Sequence, residues 1–112
     1  MSIRIYRSDL FKVWYRDLSS KDKRIVDARI DIARNLNVLT NYKQLSKDYS
    51  LYEFKWRSGL RVYFALLSDT EGRFILLLIG GNKNTQEYDI RLSKKIILRA
   101  MAGVKRKGEK DE

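Results

Sequence analysis

Residues 52–90, YEFKWRSGLRVYFALLSDTEGRFILLLIGGNKNTQEYDI, restrict the possible folds more than any other part of this chain. Tyr52, Phe54 and Trp56 alternate with Glu53, Lys55 and Arg57; Val62, Phe64 and Leu66 alternate with Arg61, Tyr63 and Ala65. Aromatic and β-branched residues at period two mark strands that bury one face. The run 74–79, FILLLI, is apolar throughout and reads as a strand covered on both faces. A three-residue connection, Ser58-Gly59-Leu60, pairs Arg57 with Arg61, Lys55 with Tyr63 and Trp56 with Val62. That register keeps both apolar sets on one side, and a glycine in the loop supplies the left-handed backbone such hairpins use. The opposite, solvent face then carries Lys55, Arg57, Arg61 and Tyr63. Like charges set directly opposite are unfavourable in a sheet, so their clustering suggests a place to hold an anion.

The rest of the chain supplies helices. Residues 2–6 alternate Ile3 and Ile5 with Arg4 and Tyr6 and read as a short strand. Ser8 or Asp9 caps a predicted helix over 10–18 with Leu10, Phe11, Trp14 and Leu18 on one stripe. Ser19-Ser20 breaks it, and a second helix over 21–36 aligns Ile25, Ala28, Ile32, Ala33 and Leu36. So short a connection predicts an antiparallel helical hairpin packed on the sheet. Residues 35–41 are polar and read as a turn. Gly80-Gly81 reads as a sharp exit from the last strand, and Asn84 with Glu87 has capping-box spacing for a third helix. From 91 to 107 there are seven basic residues and no acidic one, and 103–112 reads as a charged, disordered tail after a single domain at 1–102.

Composition narrows the chemistry. Among 112 residues, 24 are Lys or Arg and 14 are Asp or Glu, a formal charge of +10 that favours a polyanionic partner. With no cysteine and no histidine, thiol catalysis, disulfides, Ser-His pairs and ordinary zinc sites are excluded. Chemistry is left to Lys, Arg, Tyr, Asp, Glu, Ser and Thr. No apolar run approaches the ~18 residues of a membrane span, and the N-terminus lacks the apolar segment of a secretory signal. A cytoplasmic protein with no membrane partner is expected.

The order strand, helix, helix, strand, strand, strand, helix (β-α-α-β-β-β-α, an α+β fold) carries a set of motifs: Lys43-x-Leu45, Tyr52-Glu53-Phe54-Lys55, Gly59-Leu60-Arg61-Val62-Tyr63-Phe64, and Leu76-Leu77-Leu78-Ile79-Gly80-Gly81-Asn82-Lys83-Asn84-Thr85-Gln86 followed by Asp89-Ile90. In these residues the chain resembles the RelE/ParE family of type II toxin–antitoxin toxins, and more narrowly its addiction-module killer branch, RelE/HigB-like. The resemblance implies a helical hairpin on one face of a small, mainly antiparallel sheet. It further implies a ribosome-dependent mRNA endonuclease, an mRNA interferase working in the ribosomal A site, in which a 2′-hydroxyl attacks the adjacent phosphodiester. Carried over by position, Lys55 matches a candidate general base, Arg61 a phosphate-clamping arginine, Lys83 a charge-neutralising base after the last strand, and Tyr88 falls one residue from a C-terminal catalytic tyrosine. Lys43, Arg57 and Tyr63 would bind RNA. Glu53 departs from the pattern, standing where the ribonuclease prototype has lysine. No cofactor or metal is implied. The implied partner is an antitoxin from the adjacent gene, of helix-turn-helix type, with acidic segments over the basic surface. Two alternatives from other classes remain: a ParE-like DNA gyrase inhibitor, and a catalytically silent RNA-binding homologue.

Overall fold

A computed structural model describes the backbone of residues 3–36 and 41–110, and the side chains of 3–35 and 41–102. In chain order the elements are β1 (Arg4–Arg7), α1 (Asp9–Arg16), α2 (Ser20–Leu36), β2 (Tyr42–Ser46), β3 (Leu51–Lys55), β4 (Leu60–Asp69), β5 (Gly72–Asn82) and α3 (Gln86–Lys110). The five strands form one sheet in the order β1-β5-β4-β3-β2. β1 runs parallel to β5 because the helical hairpin carries the chain away before the antiparallel meander begins; the other three pairings are antiparallel. The α+β class and the helical hairpin agree with the sequence reading, but the element order gains a strand. β2 follows the expected turn at 35–41, in a stretch to which the sequence reading assigned no element. As an edge strand with Tyr42, Lys43 and Gln44 all exposed, it buries no face and so leaves no period-two signal.

Both faces of the sheet are covered. On one, Phe11 of α1 and Val26, Ile30 and Ala33 of α2 pack with Phe54, Val62, Phe64, Ile75 and Leu77. The Phe54 and Phe64 rings stack at 4.4 Å, and each buried side chain of this size contributes roughly 1.5–3 kcal/mol. Ser8 caps α1, accepting from the Phe11 amide at 3.1 Å and donating to the Leu78 carbonyl. Ser19 accepts from the Asp22 amide at 3.1 Å and starts α2. The buried stripe of α2 is Val26-Ile30-Ala33; of the expected Ile25, Ala28, Ile32, Ala33 and Leu36, Ala33 is buried, Ile25 is half-buried, Ala28 and Ile32 are exposed, and the Leu36 side chain lies outside the described residues. Two polar contacts fit this rotation: Tyr15 donates to both Asp27 oxygens at 2.8 Å, and Arg29 reaches the Lys55 carbonyl.

On the other face α3 lies across β4 and β5, and Leu51, Tyr63, Ala65, Leu78 and Ile97 form a second core cluster. The double-sided covering of 74–79 holds as expected: Ile75 and Leu77 face one cluster, Leu76, Leu78 and Ile79 the other. The solvent face expected for β3 and β4 is therefore open only at its hairpin end, because α3 covers the remainder. The hairpin register also differs from expectation. Lys55 pairs with Arg61, Glu53 with Tyr63 and Phe54 with Val62. The three loop residues are Arg57-Ser58-Gly59, closed by Trp56 N–H to the Leu60 carbonyl at 3.0 Å and Gly59 N–H to the Trp56 carbonyl at 3.0 Å. Gly59, at φ +103°, takes the left-handed position. The shift moves the partners by two residues, so the division of side chains between faces survives.

Gly80 and Gly81 are not a turn. Both lie inside β5, and each is required by what presses on the strand. A Cβ on Gly80 would sit 2.2 Å from the Trp14 ring; one on Gly81 would sit 2.0 Å from Asp89 Oδ2 and 2.6 Å from Thr85 Oγ1. The third helix begins one residue later than the expected cap, with Thr85 preceding it: the Asp89 amide donates to the Thr85 carbonyl at 2.9 Å, and Thr85 Oγ1 accepts from the Asn82 amide at 3.1 Å. The backbone of α3 is helical past Gly103, to Lys110. No helix among the described residues is long and apolar enough to cross a membrane.

Gly80→Ala is expected to lower stability by roughly 1–3 kcal/mol, because the Trp14 indole must move out of a packed layer. Urea unfolding of this variant alone and combined with Trp14→Ala measures it; the loss should shrink in the Trp14→Ala background.

Candidate nucleic-acid interface

The open end of the β3–β4 hairpin is a cationic groove of about 830 Å³, lined by Arg29, Asn41, Tyr42, Lys55, Trp56, Arg57 and Arg61. Each lining cation arrives by a different local rule. Lys55 ends β3 and Arg61 enters β4 directly opposite, an unfavourable pairing of like charges. Arg57 projects from the three-residue loop and is exposed. Arg61 is half-buried, and its Nη1 donates to the carbonyls of Leu60 at 3.0 Å and Trp56 at 3.3 Å, while its Nε is buried with no partner among the described residues. Arg29 comes from α2. Its Nη1 donates to the Lys55 carbonyl at 2.7 Å and its guanidinium lies 4.2 Å from the centre of the Trp56 ring. Partial burial lowers the Arg29 pKa from its ordinary value, although the group stays cationic at neutral pH.

Among the described residues, none of these four cations forms an ion pair with a carboxylate. Arg4, by contrast, is neutralised far away by Asp69 at 2.7 Å and Glu71 at 3.3 Å, a clamp between β1 and the β4–β5 turn that holds the Asp69 pKa down at about 2. Uncompensated positive charge around a concavity is the electrostatic signature of an anion-binding site.

Of the residues singled out from the sequence, Lys55, Arg57 and Arg61 meet in this groove. Lys83 does not line it but packs alongside: its amide donates to the Gly59 carbonyl at 2.9 Å, and its methylenes lie 3.7–3.8 Å from where a Gly59 Cβ would be. Lys43 is exposed on β2, opposite Glu53, away from the groove lining. Tyr88, 60% exposed on α3, also lies outside that lining. Tyr63 is the clear correction. Expected on a solvent face, it is fully buried beneath α3, its hydroxyl without a hydrogen-bond partner among the described residues. Burial, then the nearby negative charges of Glu53 and Asp89, raises its pKa, so it is a neutral core residue.

Tyr63 belongs to a polar layer between the sheet and the first turns of α3. Glu53 is 2% exposed and accepts from Gln86 Nε2 at 3.0 Å; Asp89 is 4% exposed and accepts from Thr85 Oγ1 at 2.6 Å. The Ser93 hydroxyl is buried without a partner. Glu53, the position that departs from the family pattern, thus faces Gln86 under α3 and is not a groove residue. The sequence reading missed Arg29, Asn41, Tyr42 and Trp56. Arg29 carried a usable signal: it falls within the Val26-Ile30-Ala33 stripe, where a charge must find a carbonyl or an aromatic face.

Three helices on a five-stranded mixed sheet, with β1 parallel to β5 beside an antiparallel meander, define the fold of RelE-like toxins. The structure superposes on a double arginine-to-alanine mutant of the E. coli toxin RelE in its free state with a TM-score of 0.65 at 17% identity, covering 87% of this chain and 99% of that one. It also matches the RelBE2 toxin–antitoxin complex of Mycobacterium tuberculosis (TM-score 0.50, 14% identity, 73% and 99% coverage). A third similar structure is the YoeB/ParE toxin of Agrobacterium tumefaciens (0.49, 9%, 71% and 98%). No family model matches the sequence, and no curated protein aligns with it.

Burial raises the Asp89 pKa, and the Thr85 hydroxyl offsets this only in part. A carboxyl raised on folding leaves stability intact below its unfolded value, about 4, and lowers it as pH climbs through the folded value. Asp89→Asn should therefore unfold at a higher urea concentration than the native chain at pH 7, with the gap closing towards pH 4. A gap independent of pH would refute this account.

Proposed function

We propose that this chain is the toxin of a toxin–antitoxin pair and acts as a ribosome-dependent mRNA endonuclease. The observation that carries the reading is the groove of four uncompensated cations, with Lys55 directly opposite Arg61. Cleavage by 2′-hydroxyl attack builds negative charge on the scissile phosphate. It also needs a proton taken from the nucleophile and one given to the 5′ leaving oxygen. In this reading Arg61, held by the Leu60 and Trp56 carbonyls, clamps the phosphate, since a preoriented guanidinium stabilises developing charge without reorganising. Lys55 takes the proton-transfer role, and Arg57 and Lys43 engage the flanking backbone. Lys83, packed over the loop at Gly59, adds positive charge from the β5 side. Tyr88 is a candidate proton donor reached from α3. Tyr63 is left out because it is buried.

A toxin of this kind requires a neutralising antitoxin, and acidic segments would complement the +10 chain. The RelBE2 structure is itself a toxin–antitoxin complex, which supports a partner of that type here.

Mapping RNA 5′ ends in cells shortly after induction tests the proposal. The native chain should produce new ends inside translated frames. Arg61→Ala and Lys55→Ala should each reduce them by about 10²–10³, the scale for losing one group that stabilises transition-state charge, while Arg61→Lys should retain part of the activity. Growth arrest with gyrase-dependent DNA breaks and no new ends would replace the nuclease with a gyrase-directed toxin. Folded protein with neither arrest nor new ends would make it a silent homologue.

A further inference from the structure

The groove holds more than a phosphate clamp requires. Beside Lys55, Arg57 and Arg61 lie an aromatic side chain, an amide and a cation whose geometry differs from theirs. Tyr42 is 48% exposed, its ring tilted against Tyr52 with centroids 6.0 Å apart. It pairs with Phe54 across β2–β3, which sets its side chain on the same sheet face as Trp56. Asn41 precedes it at φ +50°, a left-handed conformation that asparagine tolerates better than most residues. Arg29 differs from the other cations because its guanidinium is stacked on Trp56 and one of its amino groups is committed to the Lys55 carbonyl. A guanidinium fixed in this way offers a planar stacking surface as well as charge.

Unpaired RNA bases are recognised by stacking on aromatic rings or arginine planes and by hydrogen bonds to their polar edges. An asparagine amide presents both a donor and an acceptor to such an edge. We infer that Asn41, Tyr42 and the Trp56-stacked Arg29 form a subsite for an unpaired nucleobase adjoining the phosphate held by Lys55 and Arg61. This rests on the nuclease reading and adds to it the groups that select which base flanks the cut. The two subsites meet at Lys55: its carbonyl accepts from Arg29, and the residue lines the same groove as Arg61.

The substitutions that test this are Tyr42→Ala, Tyr42→Phe and Arg29→Lys, compared with the native chain by the base composition around mapped RNA 5′ ends. Tyr42 is an exposed edge-strand residue, and unfolding midpoints close to the native value would establish that each variant folds. The native chain should prefer one base beside the scissile bond. In Tyr42→Ala and Arg29→Lys that preference should fall about tenfold, the scale of losing one stacked base contact, with cuts still made. Tyr42→Phe, which keeps the ring, should retain the preference. Cuts with no flanking preference in the native chain, or with the same preference in Tyr42→Ala, would overturn the subsite and leave the nuclease intact. Absence of new ends from the native chain would remove both.

Discussion

Burial of β5 on both sides is the constraint from which the remaining structure follows. A strand with Ile75 and Leu77 on one face and Leu76, Leu78 and Ile79 on the other cannot be left with either face in water. The helical hairpin supplies one cover and α3 the other. Their approach is so close that a side chain at either of two consecutive positions, Gly80 and Gly81, would displace the residues packed on it. With the central strands held this way, α3 leaves the end of the β3–β4 hairpin open, and that end, with Arg29 of α2 beside it, gathers the cations. The groove is thus a by-product of how far the covers reach along the sheet.

At that end, electrostatics and stability pull in opposite directions. Lys55 opposite Arg61 costs repulsion, and no carboxylate among the described residues relieves it through an ion pair. The structure relieves it with backbone carbonyls instead: Trp56 and Leu60 accept from Arg61, and Lys55 accepts from Arg29. Neutral acceptors hold the guanidinium groups in place and leave their charge undiminished. A carboxylate would have held them equally well while cancelling the field that an RNA phosphate would meet. The buried acids nearby, Glu53 and Asp89, are turned under α3, towards Gln86 and Thr85 respectively.

Much of this architecture could be read from residue patterns, and the misreadings share causes. Alternation in 52–66 and the apolar run at 74–79 specify strands because side-chain period and burial agree there. β2 escaped because an exposed edge strand obeys no burial period. The α2 stripe was right at Ala33 and misplaced before it because Ile25-Ala28-Ile32 and Val26-Ile30-Ala33 are both apolar at helical spacing; Asp27 and Arg29, polar residues with tertiary partners, distinguish them. Lys55, Arg57 and Arg61 were legible as a cluster because the hairpin register preserves faces even when it slips by two. Tyr63 was not, since whether a strand's second face meets water depends on where α3 lies, more than twenty residues further along the chain. The glycine pair looked like a turn because local sequence cannot reveal an indole and a carboxylate converging on one strand from opposite sides.

That convergence has a mechanical consequence. At Gly80 and Gly81 the sheet is reduced to bare backbone, with Trp14 of α1 on one side and Thr85 and Asp89 at the start of α3 on the other. Elsewhere, the two helical layers are insulated from each other by a full thickness of side chains from the sheet. Here only a peptide unit separates them. The α1 indole and the first turn of α3, far apart in sequence and on opposite faces of the sheet, therefore both bear on the same short stretch of β5 backbone.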